Sequence, residues 1–381
     1  MKKIIRITTI SGSLRRLLQG QLRFMNKYFE VVGIASPGEA MVDVIKNEGI
    51  RTIPIEMTRS ITPFKDLISL YQLYKVLKKE KPQIVHSHTP KAGTLAMIAA
   101  RMANVPHRLH TVAGMPLLES SGVKRRVLEL VEIITYSFST KVYFNSLGLY
   151  NFVISKKYVR NLHKIKMIAN GSSNGINTAY FDRKEIQPDL MIELKKEIGI
   201  SDEDFVYISV GRLVKDKGIN ELIISFKKIN EKYPNTKLLL LGKFERELDP
   251  LLNSTEVEIE NSPSIKYMGY QMDVRPFYAI SDVLVFPSYR EGFPNVVMQA
   301  GAMGLPSIVT DINGCNEIII KEKNGLIIPP KNIEKLFSAM ETMLLDHENR
   351  KFYADNARDL IKSRYEQSKI WEWWLSEYKS L

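Results

Sequence analysis

The sequence predicts an α/β protein made of two Rossmann-like, doubly wound parallel-sheet domains. Its 381 residues suffice for two such domains, and a single domain of this length is unusual. Short β-rich runs alternate with helical patterns, and the alternation restarts after a turn-rich segment at residues 170–175. We therefore expect one domain over residues 1–170, a second over residues 171–360, and a C-terminal helix over residues 361–381.

Thirteen apolar, β-rich runs are predicted as strands. In the first half they cover residues 3–9, 31–35, 52–55, 83–86, 108–112, 141–145 and 166–169. In the second half they cover residues 206–210, 237–241, 265–268, 283–286, 307–310 and 326–328. The intervening stretches have helical periodicity, which predicts parallel sheets covered by helices on both faces. We expect the two domains to face each other across a cleft, with the carboxyl ends of both sheets around it. Ligands bind at the carboxyl ends of such sheets, so the functional residues are expected in the loops after the strands.

The C-terminal segment is helical from residue 333 onward. Trp371, Trp373 and Trp374 lie near its end, and three indole rings favour burial. We therefore expect the last helix to pack back on the body of the protein.

The composition is typical of a globular protein, with 44% hydrophobic and 25% charged residues. Cys315 is the single cysteine, which excludes an intrachain disulfide and favours a reducing compartment. No apolar run approaches the roughly 20 residues of a membrane span. Arg6 interrupts the apolar start of the chain, which predicts a first strand and not a signal peptide. We expect a cytoplasmic protein.

The net charge of +12 is unevenly distributed. Residues 1–170 contain 27 Lys and Arg against 10 Asp and Glu, whereas the remainder contains 27 against 32. The first half is therefore strongly basic and the second mildly acidic. A basic half suggests an anionic partner on that side, and lysines that only solubilise the surface are the alternative. The sequence leaves both open.

The first candidate functional segment covers residues 211–218 and follows the predicted strand 206–210. Gly211 permits a tight turn, and Arg212 and Lys217 leave the carboxyl end of the strand. A guanidinium offers a forked contact and an ammonium a point charge, so this pair suits a diphosphate. A solvated turn is the alternative.

The second segment covers residues 287–300 and follows the predicted strand 283–286. It contains Glu291 in a turn, and Pro294 at a position that suits the first turn of a helix. The N–H groups at a helix start lack intrahelical partners, so those of Phe293, Asn295 and Val296 are expected to be free for an anion.

Together with Gly304-Leu305-Pro306 and the segment at residues 324–330, these motifs resemble glycosyltransferase family 4, the retaining enzymes with the GT-B fold. The resemblance covers essentially the whole chain and is strongest over residues 206–330. It implies a nucleotide-sugar donor, UDP-linked by family frequency with GDP as the alternative, and no metal or other cofactor. It also implies a glycan or lipid-linked acceptor and a role in surface polysaccharide synthesis.

The resemblance implies roles for individual residues. Arg212 and Lys217 hold the donor diphosphate, and Glu291 binds the transferred sugar. Gln299 stands where the family usually has a ribose-binding glutamate, and an amide can still bond a hydroxyl. The implied donor-binding residues are Gly12, Gly211, Gly292, Phe293, Pro294, Asn295, Val296 and Gln299.

In the first half, residues 86–93 resemble the family's turn into an acceptor-side helix, which places His88 and Lys91 on the acceptor side. Many relatives also have a histidine that assists catalysis after the next strand. Alignment on Thr111 places that histidine at Ala113, whereas alignment on the histidine gives His110 with a shifted spacing. A catalytic and a structural role for His110 remain open.

The sequence predicts no metal site. His86 and His88 share one face of a strand, but neither a carboxylate nor a third histidine lies close in sequence. The acidic triplet at residues 202–204 precedes a strand at the end away from the predicted cleft, so we interpret it as a solvated loop. Charge alone suggests nucleic-acid binding, and no recognition motif supports it.

Peripheral contact with an anionic membrane is a further expectation. Basic residues alternate with apolar ones around Arg15, Arg16 and Arg23 and around residues 124–127. Ordinary amphipathic helices packed on a sheet are the alternative.

Two other functions also stay open: a sugar-nucleotide-binding protein without transfer activity, and a sugar-nucleotide epimerase. Product analysis without an acceptor would detect the epimerase.

Overall fold

The computed structural model describes residues 1–60, 62–247 and 249–381. It divides the chain into two compact units: Met1–Gly175 with Gln367–Leu381, and Ile176–Glu366. The first unit thus ends a few residues beyond the expected boundary at residue 170. Residues 361–366, which we expected in the terminal helix, belong to the second unit.

The first unit is built on a seven-stranded parallel sheet with the order β3-β2-β1-β4-β5-β6-β7. Its strands are β1 (Lys3–Ile10), β2 (Glu30–Ser36), β3 (Arg51–Pro54), β4 (Ile84–Ser87), β5 (His107–Val112), β6 (Lys141–Phe144) and β7 (Ile165–Met167). Its helices up to the crossover are α1 (Ser11–Leu17), α2 (Gln21–Asn26), α3 (Ala40–Glu48), α4 (Pro63–Glu80), α5 (Pro90–Met102), α6 (Gly122–Phe138) and α7 (Leu147–Ser155).

Alternate side chains of the first sheet point into two separate cores. Ile4 packs with Leu14 and Leu18 from the segment of α1, on the face that α2 and α3 also cover. Ile5 and Ile7 pack on the other face, under α4 and α5. Helix α6 packs beside α5 on that second face. Helices α1 and α6 therefore lie on opposite faces of the sheet.

The second unit is built on a six-stranded parallel sheet with the order β10-β9-β8-β11-β12-β13. Its strands are β8 (Phe205–Val210), β9 (Thr236–Leu241), β10 (Ile265–Tyr267), β11 (Val283–Phe286), β12 (Ser307–Thr310) and β13 (Gly325–Ile328). Its helices are α8 (Pro188–Ile198), α9 (Ile219–Lys232), α10 (Asn253–Asn261), α11 (Arg275–Ala279), α12 (Asn295–Ala302), α13 (Cys315–Ile318), α14 (Ile333–Leu345) and α15 (His347–Tyr365). Two cores, one on each face, enclose this sheet.

The last helix, α16 (Gln367–Lys379), packs on the first unit. Trp374 and Tyr378 are fully buried in the core that contains Ile4. The Trp371 indole donates a 2.7 Å hydrogen bond to Asn174 Oδ1, and the Trp374 indole donates one of 3.1 Å to the Ser173 carbonyl. These bonds attach the returning chain to the segment at which the first unit ends.

All thirteen predicted runs form strands, and both sheets are parallel, so the predicted fold class is confirmed. One detail was wrong: Pro294 directly precedes α12 instead of lying in its first turn. Of the two stretches expected to contact a membrane, the first has Leu14 and Leu18 buried in the core, and α1 and α6 lie on opposite faces of the sheet.

Candidate active site

Three loops meet at the carboxyl edge of the second sheet. Gly242 after β9 lies so close to the loop after β8 that a Cβ atom there would be 1.6 Å from the Gly211 carbonyl oxygen. Gly218, at the start of α9, has a φ of +69°, and a Cβ there would lie 2.2 Å from the Pro287 carbonyl oxygen after β11. Only glycine fits these contacts, so the backbone itself holds the predicted donor loops together.

Lys217 and Glu291, which are 74 positions apart, form an ion pair at this edge. The side chains are only 15% and 16% exposed. The Ser288 hydroxyl donates a 3.1 Å hydrogen bond to the same Glu291 carboxylate oxygen. The structure thus brings together a cation and a carboxylate that the sequence assigned to the diphosphate and to the transferred sugar.

Arg212 lies at the same edge and is bonded to another carboxylate. Its Nη1 donates a 2.6 Å hydrogen bond to Glu245 Oε2, and its Nη2 lies 3.9 Å from Asp216 Oδ1. Burial works to lower the pKa of Arg212, but the bond to Glu245 and the neighbouring carboxylates raise it above its ordinary value. The guanidinium is 43% exposed, so it carries a full charge that remains accessible.

The loop after β11 is held by the loop after β12. Asn313 Nδ2 donates a 2.5 Å hydrogen bond to the Glu291 carbonyl oxygen. Gly314 has a φ of +77°, and a Cβ there would lie 2.5 Å from the Gly292 carbonyl oxygen. Sequence reasoning missed both residues. The available signal was their position directly after the predicted strand 307–310, which is parallel to β11.

Helix α12 begins beside Glu291, after Phe293 and Pro294. The Phe293 ring is buried, with its centroid 5.2 Å from that of Tyr365, which fixes the start of the helix. Asn295 and Val296 lie in the first turn, where backbone N–H groups have no intrahelical partner and the helix dipole favours an anion. Gln299 lies one turn further along and is partly exposed.

A second set of contacts fixes the loops around the cations. Arg290 Nη2 donates a 2.8 Å hydrogen bond to Asp216 Oδ2, and the Tyr289 backbone N–H donates one of 2.8 Å to the Asp216 carbonyl. The Tyr289 hydroxyl lies 2.5 Å from Glu221 Oε1 on α9. Residue 216 therefore links the segments that hold Lys217 and Glu291.

In the first unit, the predicted acceptor-side turn lies at the carboxyl ends of β1 and β4. The Thr9 and Thr89 hydroxyls, 2.7 Å apart, join the two loops. Gly12 lies in the first turn of α1, and Lys91 in the first turn of α5. The Lys91 ammonium forms an ion pair with Asp66 on α4. This pair places a cation at the edge of the first sheet.

His88 lies in a buried polar network behind this turn. Arg6 Nε donates a 2.9 Å hydrogen bond to His88 Nε2, which leaves the His88 proton on Nδ1. His86 Nδ1 lies 2.6 Å from the Tyr378 hydroxyl on α16. Burial, then the positive charge of Arg6, lowers the pKa of His88 well below its usual range, so it is neutral. Through this network, α16 supports the loop that contains His88.

His110 lies inside the first unit, at 2% exposure. Its Nδ1 is 2.9 Å from the Ser87 hydroxyl, and a Cβ on Gly93 of α5 would lie 2.4 Å from its ring. Burial lowers the pKa of His110 to about 4. The enclosure of the ring under α5 favours the structural alternative for this residue. Ala113 follows the end of β5.

Among residues 1–60, 62–247 and 249–381, no group of three or more His, Cys, Asp or Glu side chains is arranged to hold a metal ion. No helix in the same ranges is long and apolar enough to cross a membrane.

Two doubly wound parallel-sheet units, with cations, a carboxylate and a helix start grouped at the edge of the second sheet, are the architecture of the GT-B fold. Known structures share this fold. A glycosyltransferase from Rickettsia africae superposes with a TM-score of 0.82 at 20% identity, covering 100% of this chain and 98% of that one. Anabaena HepE in complex with UDP superposes with a TM-score of 0.80 at 16% identity, covering both chains completely.

Sequence comparison identifies the family. The Glycosyl transferases group 1 model matches residues 191–360, and the Glycosyl transferase 4-like model matches residues 18–146. The capsular polysaccharide biosynthesis glycosyltransferase CapM of Staphylococcus aureus is 34% identical, over 97% of this chain and 95% of that protein. The Escherichia coli UDP-Gal:alpha-D-GlcNAc-diphosphoundecaprenol alpha-1,3-galactosyltransferase is 30% identical, over 92% and 89%. The chain belongs to glycosyltransferase family 4, which confirms the predicted resemblance.

Proposed function

We propose that this glycosyltransferase transfers a hexose or N-acetylhexosamine from a UDP-sugar to a lipid-linked glycan, in the synthesis of a surface polysaccharide. The observation that carries the proposal is the grouping of Arg212, Lys217 and Glu291 around the start of α12. Relatives support the substrates. The Escherichia coli relative is named for UDP-Gal and a diphosphoundecaprenol-linked sugar, and a Campylobacter jejuni relative for a diphospho-undecaprenol-linked substrate.

The donor diphosphate would lie between the cations and the start of α12. Arg212 is the exposed cation of the pair, and it would exchange its bond to Glu245 for a phosphate oxygen. Lys217 would move from Glu291 to the other phosphate, which frees the Glu291 carboxylate to accept hydroxyl bonds from the sugar. Asn295 and Val296 would donate backbone N–H bonds, and Gln299 would bond the ribose.

The reaction would proceed with retention. The acceptor hydroxyl attacks the anomeric carbon on the face of the leaving group, the bond from that carbon to the phosphate oxygen breaks, and the acceptor proton passes to the departing phosphate. The departing UDP gains about one negative charge, and a cation at 4 Å stabilises it by up to about 4 kcal/mol at an effective dielectric near 20. Arg212 and Lys217 could supply that stabilisation without a metal.

The first unit would take the acceptor, with Lys91 at the edge of its sheet. His88 is buried and accepts a bond from Arg6, so it would support this turn from behind and not contact the acceptor as the sequence suggested. His110 would act as a positioning residue under α5, since its ring is enclosed. Because lipid-linked acceptors lie at a bilayer, we propose that the protein works at the inner face of the plasma membrane through peripheral contact.

Thermal unfolding of the full chain in a series of UDP- and GDP-sugars tests the donor. A bound donor stabilises the protein by RT ln(1 + [L]/Kd), so we expect a rise in midpoint with UDP-sugars and a smaller one with GDP-sugars. Mass spectrometry of a reaction with diphospholipid-linked acceptors should then show one added sugar, undiminished by EDTA. Loss of transfer in EDTA with recovery in manganese would refute the metal-free proposal. An altered sugar nucleotide without acceptor would indicate an epimerase.

A further inference from the structure

Two helices of the first unit expose apolar stripes. On α4, Phe64, Leu67, Ile68 and Tyr71 are 86%, 63%, 59% and 57% exposed. Their spacing is i, i+3, i+4 and i+7, which places them on one face of the helix. The opposite face of α4 contributes Leu73 and Leu77 to the core. The exposed stripe is therefore additional to the face that holds the helix on the sheet.

Helix α6 repeats this pattern. Val123, Val127, Leu130 and Ile133 are 77%, 41%, 57% and 40% exposed. The opposite face of α6 buries Glu132, Thr135 and Tyr136. Helix α5 lies between α4 and α6 and contacts both. We call the exposed faces of α4 and α6 the α4–α6 surface. Monomeric proteins rarely expose large apolar side chains in such grouped stripes without a partner.

The charge of the α4–α6 surface is positive. Its carboxylates are engaged within the described structure, Asp66 by Lys91 and Glu129 by Arg125. Glu80 pairs with Lys3 and Arg51. The exposed cations on the two helices are Lys65, Lys75, Lys78, Lys79, Lys124 and Arg126. Apolar side chains bordered by lysine and arginine suit the boundary between anionic headgroups and acyl chains.

The apolar stripe of each helix begins at the edge of the sheet that carries Lys91. Phe64 and Val123 lie in the first turns of α4 and α6, and Asp66, in the first turn of α4, binds Lys91. The apolar stretch from Phe64 to Tyr71 extends about 10 Å along the helix. Lys75 and Lys78 continue the same face of α4 away from this edge, so positive charge borders the apolar stripe.

We propose that the α4–α6 surface docks the protein on an anionic lipid bilayer. This inference rests on the proposed function, because a lipid-linked acceptor lies in such a bilayer close to Lys91. A second copy of the chain fits the surface less well. A two-fold interface would place the cations of α4 and α6 against the same cations of the partner copy, and like charges repel.

Vesicle flotation of the full chain tests the proposal, with phosphatidylcholine vesicles that either contain or lack phosphatidylglycerol. Wild type should float with anionic vesicles and much less with neutral ones. The variant Phe64→Gln/Leu67→Gln/Val123→Gln should lose about tenfold or more in partition coefficient, because it removes three apolar side chains from the interface. The variant Lys124→Glu/Arg126→Glu should lose the preference for anionic vesicles and its salt dependence.

Helix α3 offers a matched control. Val42 and Ile45 are 66% and 50% exposed on the opposite face of the same sheet. The variant Val42→Gln/Ile45→Gln should float like wild type. Each variant should keep its thermal midpoint and its stabilisation by UDP, which shows that fold and donor site are intact.

Three outcomes would overturn the surface assignment. In the first, wild type does not float with anionic vesicles. In the second, the apolar variant floats as well as wild type. In the third, wild type is a dimer and the apolar variant is a monomer. Failure of the proposed function can be distinguished from failure of the docking surface. Wild type that floats through the α4–α6 surface but transfers no sugar would retain the docking surface and refute the substrate assignment.

Discussion

The Lys217–Glu291 pair shows how a single residue can affect catalysis and folding differently. Both side chains are largely buried and neutralise each other, and Ser288 adds a further bond to the carboxylate. Loss of the ammonium removes a charge close to the proposed position of the phosphate, whereas Glu291 keeps its bond to Ser288. The catalytic cost should therefore exceed the structural one.

We predict that Lys217→Met lowers kcat/KM by at least about a hundredfold, while the free energy of unfolding falls by about 1–2 kcal/mol. A charge at 4 Å contributes up to about 4 kcal/mol to the departing diphosphate, and each 1.36 kcal/mol is tenfold in rate. Steady-state kinetics and chemical denaturation check both values. Lys215→Met, an exposed lysine in the same turn, is the control and should behave like wild type. Turnover unchanged in Lys217→Met would refute the assignment.

His110 predicts a pH dependence of stability. Burial lowers its pKa to about 4 in the folded protein, below the unfolded value near 6.5. The unfolded chain therefore binds more protons below pH 6.5, and stability is lost as pH falls from about 6.5 to 4, by about 3 kcal/mol for this group alone. The same burial raises the pKa of Glu132 to about 7, which stabilises the fold over part of the same range and opposes the loss.

The comparison of wild type with His110→Asn isolates the histidine from Glu132. We predict that the variant is less stable at pH 8 and that its stability falls less steeply between pH 6.5 and 4. Urea denaturation at several pH values measures the difference. Parallel curves for the two proteins would show that His110 does not remain neutral in the fold.

At the scale of elements, the loop after β12 positions the loop that carries Glu291. Gly314 and Gly304 both have left-handed backbones, with φ of +77° and +80°. A Cβ at Gly314 would meet the Gly292 carbonyl oxygen at 2.5 Å, whereas a Cβ at Gly304 would meet nothing within 4 Å. An alanine at either position would strain the backbone, but only one at Gly314 would also press on the loop of Glu291. Comparison of the two substitutions therefore isolates the steric effect on the site.

We predict that Gly314→Ala and Gly304→Ala both cost about 1–2 kcal/mol in stability through left-handed strain. Only Gly314→Ala should also weaken binding of UDP, by about tenfold, because it displaces the loop of Glu291 and the start of α12. Calorimetric titration with UDP measures the binding. Equal affinities in the two variants would mean that the β12 loop has no part in holding the donor.

The elements also show what could be predicted from the sequence. Buried parallel strands are continuous apolar runs, so all thirteen strands were found. The amphipathic patterns of α1 and α6 gave no indication of which face of the sheet each helix covers, so the two stretches expected to contact a membrane could not be placed relative to each other from the sequence. Asn313 was missed because its bond to Glu291 joins loops of neighbouring strands, which sequence spacing does not show.

At the scale of the whole molecule, each unit has its own sheet and its own cores, and the chain crosses between the units twice. The proposed diphosphate contacts all lie in Ile176–Glu366, whereas α16 completes the core of the other unit through Trp374. A nucleotide bound to the second unit and a substitution of Trp374 in the first unit should therefore change the unfolding of different units.

We predict two calorimetric transitions, one for each unit. UDP at about a hundred times its Kd adds about 2.7 kcal/mol, which raises the transition of the second unit by about 5–10 °C for a domain of this size. Trp374→Ala, which empties a fully buried site, should cost about 3–5 kcal/mol and lower the other transition. Glu372→Ala, an exposed residue on the same helix, is the control. If UDP raises the transition that Trp374→Ala lowers and leaves the other unchanged, the nucleotide binds the first unit, and the donor assignment to Arg212 and Lys217 is wrong.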